Sequence, residues 1–414
     1  MDHKRFSTSL RDHVRTKIEQ LESADIVIGI PSFHCDTTIA HVLETATKGI
    51  QKHYSEHRTL IIVSDGGSTD DTREVALLFD ERSYGIEKIV TIYRGLPGKG
   101  SALRAIFEAA DFLKPKAIVV FDSDLLSITP QWVKNIIDPV MFGYDFVAPD
   151  YQRYKFDATI TNTIACNLTR ALYGMRIRQP IGGDFGLSPK LCKYYLDQSD
   201  VWETDVARFG IDIWMTTMAI VGGFSICQAS LGVKIHGKKD PSSDLGPMFS
   251  QVVGTIFRLM EQNEEYWKNV KASKDVTLMG EFPTQSPEPF NINQDELIDY
   301  FKMGYRNFKG IWSGILEKDD YEVIRKLVRN TSKKRFHVPD ETWVRIVYRY
   351  ANAFHSTPRQ RMKVLRTMIP LYYGRVASLV NELGDKTAEE SEAVFDAHAG
   401  VFESMKDYLI KIWK

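Results

Sequence analysis

Two aspartates stand one residue apart in Phe121-Asp122-Ser123-Asp124, directly after the apolar run Ala117-Ile118-Val119-Val120. On an extended strand, residues i and i+2 point to the same side. Where the strand gives way to a turn, both carboxylates can reach one cation. Mg²⁺ or Mn²⁺ prefers hard oxygen ligands and is commonly shared with substrate phosphates. Such a pair can therefore hold a metal against a nucleotide diphosphate and neutralise the charge that builds on a leaving group. A polar turn that merely closes a strand is the other reading of the same residues.

Other residues carry compatible chemistry. Lys99 lies in Gly-Leu-Pro-Gly-Lys-Gly-Ser, which lacks the Walker spacing because Gly100, not Ser or Thr, follows the lysine. At a helix N-terminus it can still meet a diphosphate or a base edge; a solvated surface lysine is the alternative. Asp65 precedes Gly66-Gly67 and can accept from a base or ribose, or shape a turn. Ser68 and Asp71 have capping-box spacing. Lys234 and His236, two apart after an apolar run, suit a cation and a metal ligand facing one diphosphate. Gly182-Gly183-Asp184 permits close backbone approach to a ligand or forms a tight turn. Asp212 can bind a hydroxyl or cap a helix.

These residues need elements to position them. Ile26–Ile30, Leu60–Val63, Lys88–Tyr93 and Ala117–Phe121 read as buried strands, and Asp145–Pro149 as another. Between them, Ile39, Val42, Leu43, Ala46 and Ile50 recur at helical spacing, and Val75, Leu78 and Phe79 point inward from a further helix. Alternating strands and helices imply a mainly parallel sheet with helices on both faces. Ligands bind beyond the carboxyl ends of such strands, which is where Pro31, Asp65, Lys99 and Asp122 fall. Residues 158–175, Phe209–Val221 and Met248–Trp267 read as helices. Residues 280–292 are rich in Pro and polar residues and read as a linker. Beyond them, Trp343, Ile346, Val347, Tyr350 and Phe354 form one helical stripe, and Val394, Val401, Phe402, Met405, Leu409 and Ile412 another. The expected division is 1–280 for the α/β domain and 281–414 for linker and helical domain.

Composition narrows the class. The 414 residues carry a net charge of -1, which gives no global field for nucleic acid or acidic membrane. Cys35, Cys166, Cys192 and Cys227 form no CxxC pair, against a disulfide framework or structural zinc and in keeping with a reducing cytoplasm. The charged N-terminal stretch lacks a signal-peptide apolar region, and no run approaches the ~20 apolar residues that span a bilayer.

Taken together, Pro-Ser-Phe-His, Ser-Asp-Gly-Gly-Ser-Thr-Asp-Asp-Thr, Gly-Lys-Gly-Ser-Ala-Leu and Phe-Asp-Ser-Asp resemble a nucleotide-sugar glycosyltransferase of the GT-A (Rossmann-like) fold. Gln-Pro-Ile-Gly-Gly-Asp-Phe-Gly-Leu-Ser and residues 208–236 are similar to the glucosyl-3-phosphoglycerate and glucosylglycerate synthases, which are retaining enzymes. The likeness spans residues 24–270. It implies that Pro31, Ser32, Phe33, Asp65, Lys99, Asp122, Ser123, Gly183 and Lys234 bind the nucleotide sugar. It implies that Asp124 and His236 hold Mg²⁺ or Mn²⁺, and that Asp184 and Asp212 do catalytic work around the sugar and acceptor. The implied partners are a UDP- or GDP-hexose and a small polar acceptor such as glycerate or 3-phosphoglycerate. Cys35 stands where the family usually has an acidic residue, and Thr-Ile-Thr-Asn-Thr-Ile-Ala-Cys-Asn-Leu-Thr-Arg lacks the Gly-Arg-x-Thr acceptor motif. The role of the helical tail is open between a homodimer contact and shaping the acceptor pocket. The alternatives are an inverting transferase using Asp212 as base on a polysaccharide or polyprenyl phosphate, a sugar nucleotidyltransferase, and a non-catalytic sensor.

Overall fold

The computed structural model describes residues 7–235, 241–283, 286–330 and 332–413. The strands are β1 (Ile26–Ser32), β2 (Thr59–Asp65), β3 (Glu87–Ile92), β4 (Ala117–Val120), β5 (Phe146–Gln152), β6 (Met175–Arg176), β7 (Phe185–Leu187), β8 (Ile226–Val233), β9 (Lys274–Asp275) and β10 (Leu278–Met279). Eight of them make one sheet in the order β10-β8-β5-β7-β4-β1-β2-β3. Only β7 runs antiparallel to its neighbours. The expected mixed, mainly parallel sheet is present.

The chain forms two compact units that interleave in sequence. One takes Met1–Gln152, Arg178–Lys238 and Val276–Pro287; the other takes Arg153–Ile177, Lys239–Asp275 and Glu288–Lys414. The first contains the eight-stranded sheet. Its leading helices are α1 (Asp12–Leu21), α2 (Ile39–His53), α3 (Thr72–Leu78), α4 (Lys99–Leu113) and α5 (Pro130–Met141). Alternation sorts the strand residues onto two faces. Ile26, Ile28 and Ile30, with Ile61, Val63 and Val119, pack with Val42, Leu43, Trp132 and Ile136 of α2 and α5. Gly29 points the other way, where Ile106 of α4 lies so close that a Cβ would come within 2.5 Å of it. Helices therefore cover both faces, and the loops at the carboxyl ends of β1, β2 and β4 are left to form a rim.

Two local expectations change. Leu78 is 84% exposed, because α3 buries Thr72 and Ala76 instead. Asp71 precedes α3 without a side-chain cap bond, and Ser68 turns back to donate to Asp65 at 2.6 Å. A buried strand-end carboxylate attracts that hydroxyl more strongly than the first turn of a seven-residue helix.

The second unit is helical, apart from the short β6–β9 pair. Trp343, Ile346, Val347, Tyr350 and Phe354 are all buried on the helix Asp340–Ser356. Trp343 Nε1 donates to Thr163 O at 2.9 Å. The later stripe is split, because the helix Ala388–Ser404 ends before Lys406–Ile412 begins. Phe402 and Leu409 are buried, while Val394, Val401, Met405 and Ile412 are half-buried. Within 158–175 the first turns are a π-helix, Thr161–Ala165, before the α-helix Cys166–Tyr173. Among the described residues, no helix is long and apolar enough to cross a membrane.

Asp340, Glu382 and His398 converge in this unit with metal-like spacing. A guanidinium already fills the middle. Arg375, 1% exposed, donates to Asp340 Oδ1 and Glu382 Oε1 at 2.8 Å each and to Val338 O at 2.8 Å. Burial alone would push the Glu382 carboxyl up. The His398 hydrogen bond and the Arg375 charge outweigh burial and hold it at about 2, against an ordinary 4.5. Its contribution to stability is complete above pH ~4.5 and is lost as pH falls from there towards 2. Glu382→Gln should therefore cost about 3 kcal/mol at pH 7, and the gap to the parent protein should narrow to roughly half as pH drops to 3. Denaturation midpoints across that range test this; an equal gap at both ends would refute it.

Candidate active site

Asp122 lies two residues beyond β4, and its backbone N–H donates to Asp184 Oδ1 at 2.7 Å. Its carboxylate lies between two ammoniums: Lys99 Nζ is 2.7 Å from Oδ1 and Lys234 Nζ is 3.0 Å from Oδ2. Lys99 opens α4 and also reaches Asp212 Oδ2 at 3.2 Å and Gly183 O at 3.4 Å. Lys234 follows β8 and also donates to Asp184 Oδ2 at 2.8 Å and Gly182 O at 2.7 Å. The Tyr151 ring lies under that ammonium, 5.0 Å from its centroid, and the Tyr151 hydroxyl donates to Asp184. The result is one chain of alternating charge: Asp212, Lys99, Asp122, Lys234, Asp184.

Local sequence explains the convergence. β5 and β8 slip register between Asp150 and Tyr151, so that Tyr151 pairs with Gly232, which has a φ of +72°. Such a bulge re-aims the strand end, and Lys234 meets the Tyr151 face. Gly183 has a φ of +94°, and a Cβ there would fall 2.1 Å from Asp122 Oδ2. Gly100 serves packing: its Cβ would fall 1.8 Å from Val206 O. The glycines around Lys99 thus admit the 206–208 segment against the start of α4, rather than cradling phosphate.

Electrostatics follow from this packing. Burial would raise the Asp122 pKa, but the Lys99 and Lys234 charges hold it well below the usual carboxylate range. Burial would lower Lys99, yet Asp122 and Asp212 hold it above the ordinary lysine value. Asp184 is raised, by burial first and by the Asp122 charge, against the pull of Lys234. Asp212 is raised, again by burial first.

The expected site residues separate into groups. Lys99, Asp122, Gly183, Asp184, Asp212 and Lys234 come together. Asp184, however, is 0% exposed with both oxygens engaged, so it supports the site and offers no atom to an acceptor. Among the described residues, Asp212 keeps one buried oxygen, Oδ1, without a partner. Asp65 is also 0% exposed, and its carboxylate is saturated: Gly67 N (2.8 Å) and Ser68 N (2.7 Å) donate to Oδ1, Ser32 Oγ (3.0 Å) and Ser68 Oγ to Oδ2. It organises the loop after β2, the turn reading of its sequence. Pro31 and Ser32 are buried in β1, while Phe33 is 59% exposed with its ring stacked on His34 at 4.0 Å. Tyr151 was not anticipated. The signal for it was an aromatic at the carboxyl end of a strand, Pro149-Asp150-Tyr151.

Asp124 is half-buried on the loop that follows. That loop is pinned by Thr38 Oγ1 donating to Ser123 O at 2.8 Å and by Leu126 N donating to Ile235 O at 2.9 Å. With both Asp122 oxygens taken by lysines, Asp124 is the carboxylate of the pair suited to a hard cation. Among the described residues no group of three or more His, Cys, Asp or Glu side chains gathers there. His236 lies outside the described residues.

Residues 27–183 match the model for glycosyl transferase family 2. The chain is 27% identical over 261 residues to glucosyl-3-phosphoglycerate synthase of Mycobacterium tuberculosis, covering 58% of this chain and 76% of that protein. It is 26% identical over 224 residues to mannosylglycerate synthase of Rhodothermus marinus, covering 51% and 55%. A crystal structure of the Mycobacterium tuberculosis synthase in complex with Mn²⁺, uridine diphosphate and glucosyl-3-phosphoglycerate superposes with a TM-score of 0.45 at 25% identity, over 58% of this chain and 83% of that one. The protein is a glycosyltransferase built on a mixed, mainly parallel eight-stranded sheet. Within that class it resembles glucosyl-3-phosphoglycerate synthase.

The charge chain makes two substitutions costly. Lys234→Met leaves Asp122 and Asp184 undercompensated and should destabilise the fold by about 3–5 kcal/mol. Gly183→Ala should push Asp122 off its lysines and cut turnover far more than stability. Unfolding midpoints and turnover measured side by side check both; a Gly183→Ala enzyme with parental turnover would show that the close contact is dispensable.

Proposed function

We propose that the protein transfers a hexose, glucose first among the candidates, from a nucleoside diphosphate sugar to a small hydroxy acid such as glycerate or 3-phosphoglycerate, with retention at the anomeric carbon. The observation that carries this is the half-buried Asp124 on a pinned loop at the strand-end rim, beside an Asp122 already held by Lys99 and Lys234. The reading draws further support from the relatives, whose names pair a hexosyl group with glycerate or its 3-phosphate. Four free cysteines suit work in a reducing cytoplasm.

In this reading Asp124, with His236, holds Mg²⁺ or Mn²⁺, which when bound offsets the charge developing on the nucleoside diphosphate. The exposed Phe33 ring offers a face for the base. Asp212 Oδ1, buried and unpartnered, accepts a hydroxyl of the sugar or the acceptor; a buried acceptor without a donor is costly until a ligand supplies one. Lys99 fixes the other Asp212 oxygen and so fixes the direction in which Oδ1 points. Asp184 and Tyr151 hold Lys234 and Asp122 still, so that the rim is organised before substrate arrives. The acceptor hydroxyl gives its proton to the departing phosphate oxygen as the new glycosidic bond forms, which leaves no task for a strong side-chain base. The missing Gly-Arg-x-Thr motif keeps unphosphorylated glycerate beside 3-phosphoglycerate as acceptor.

UDP-glucose, GDP-glucose and GDP-mannose, each with Mg²⁺ and either acceptor, should yield glycoside from one pair at least. Product NMR then reads the anomer. Asp124→Asn should keep the fold and lose roughly a hundredfold or more in turnover. Absence of product from every pair, or full turnover by Asp124→Asn with metal chelated, would overturn the proposal.

A further inference from the structure

The helical unit holds a cavity of about 140 Å³, bounded by Ala171, Lys268, Val270, Lys271, Lys406 and Ile410 among others. A single water needs only about 10–15 Å³ of such space. Nothing in the proposed reaction uses this cavity. Its walls are unusual in charge. Lys406 is only 8% exposed, and its ammonium donates to one acceptor, Val270 O, at 2.6 Å. An ammonium has three N–H bonds, so among the described residues two of them lack an acceptor. Lys271 is exposed and has no ion-pair partner there. Lys268 adds positive field, although Glu264 pairs with it.

The charges of Glu403 and Asp407 offset only part of this, against burial and Lys271. Glu403 is occupied: Ser273 N donates to one oxygen at 2.7 Å and Arg170 Nε to the other at 2.9 Å. Asp407, on the rim, is exposed to water. A dehydrated ammonium with unmet donors facing a polar cavity is expensive unless an acceptor fills it. We infer that this cavity binds a small phosphate-bearing anion, seated on the Lys406 and Lys271 ammoniums. A phosphate group suits two separated cations because its oxygens project in several directions and accept charge-assisted hydrogen bonds. Burial, and then the neighbouring Lys271 charge, hold the Lys406 amine down at about 8. An anion between the two cations relieves both causes, so binding should raise that value.

The test is trace acetylation of the full-length enzyme with acetic anhydride, each lysine being followed by mass spectrometry. Only the free amine reacts. In chloride, Lys406 should label with a midpoint near pH 8. In inorganic phosphate at matched ionic strength, its labelling at pH 7 should fall roughly tenfold for a one-unit rise, while surface lysines keep their rates. Methyl phosphate forms a second arm: stronger protection by it identifies an esterified ligand, stronger protection by inorganic phosphate a free one. Lys271→Ala, a surface change, should lose most of the protection. Equal Lys406 labelling in phosphate and chloride, or protection untouched by Lys271→Ala, would overturn the inference.

Discussion

One carboxylate held between two ammoniums organises the rim of this enzyme. Asp122 sits between Lys99 and Lys234, and each lysine is in turn shared with another carboxylate, Asp212 or Asp184. Charges taken out of water must be matched by close partners. That requirement binds together the end of β4, the start of α4, the end of β8 and the 182–184 turn, which are distant in sequence. Asp184 does this twice over: one oxygen receives the Asp122 backbone N–H and the other receives Lys234 and Tyr151. The loop carrying Asp124 departs directly from this carboxylate.

This arrangement explains why the paired aspartates divide their work. A carboxylate already satisfied by two lysines has little to offer a cation, while its neighbour two residues on has left the strand. The same logic separates Asp65 from the site. Both are aspartates near strand ends, but the fully buried Asp65 finds four donors in its own loop and in Ser32. Short-range hydrogen bonds claim it before any ligand could.

Much of the architecture was legible because β-branched runs and helical periodicity are local signals. Ile26–Ser32, Thr59–Asp65 and Ala117–Val120 emerge as strands, with the polar residues at their carboxyl ends. Residues with plain chemistry, such as Lys99, Asp122 and Asp212, were also visible. What was hidden depends on partners far along the chain. Gly100 broke the Walker spacing beside Lys99, but its own reason, the approach of Val206, could not be read from the sequence. Tyr151 gains its role from a register slip that no periodicity reports. Ser68 looked like a cap until a buried carboxylate competed for it. In each case the deciding contact spans a distance that propensity does not see.

The interleaving of the two units bears on how the chain acquires its structure during synthesis. Residues 153–177 leave the ribosome early, but their partners in the helical unit come much later: Arg170 waits for Asp396 and Glu403, and Thr163 for Trp343. The sheet also closes late, since β10 is supplied by residues 278–279. Long sequence separation between partners slows folding and prolongs the exposure of apolar surface. A nascent chain stopped near residue 280 would present Ile160, Ile164, Leu168 and Leu172, all buried in the finished protein, without the helices that cover them. This is a chain whose folding is paced by its last third, and shortened versions of it are poor candidates for expression.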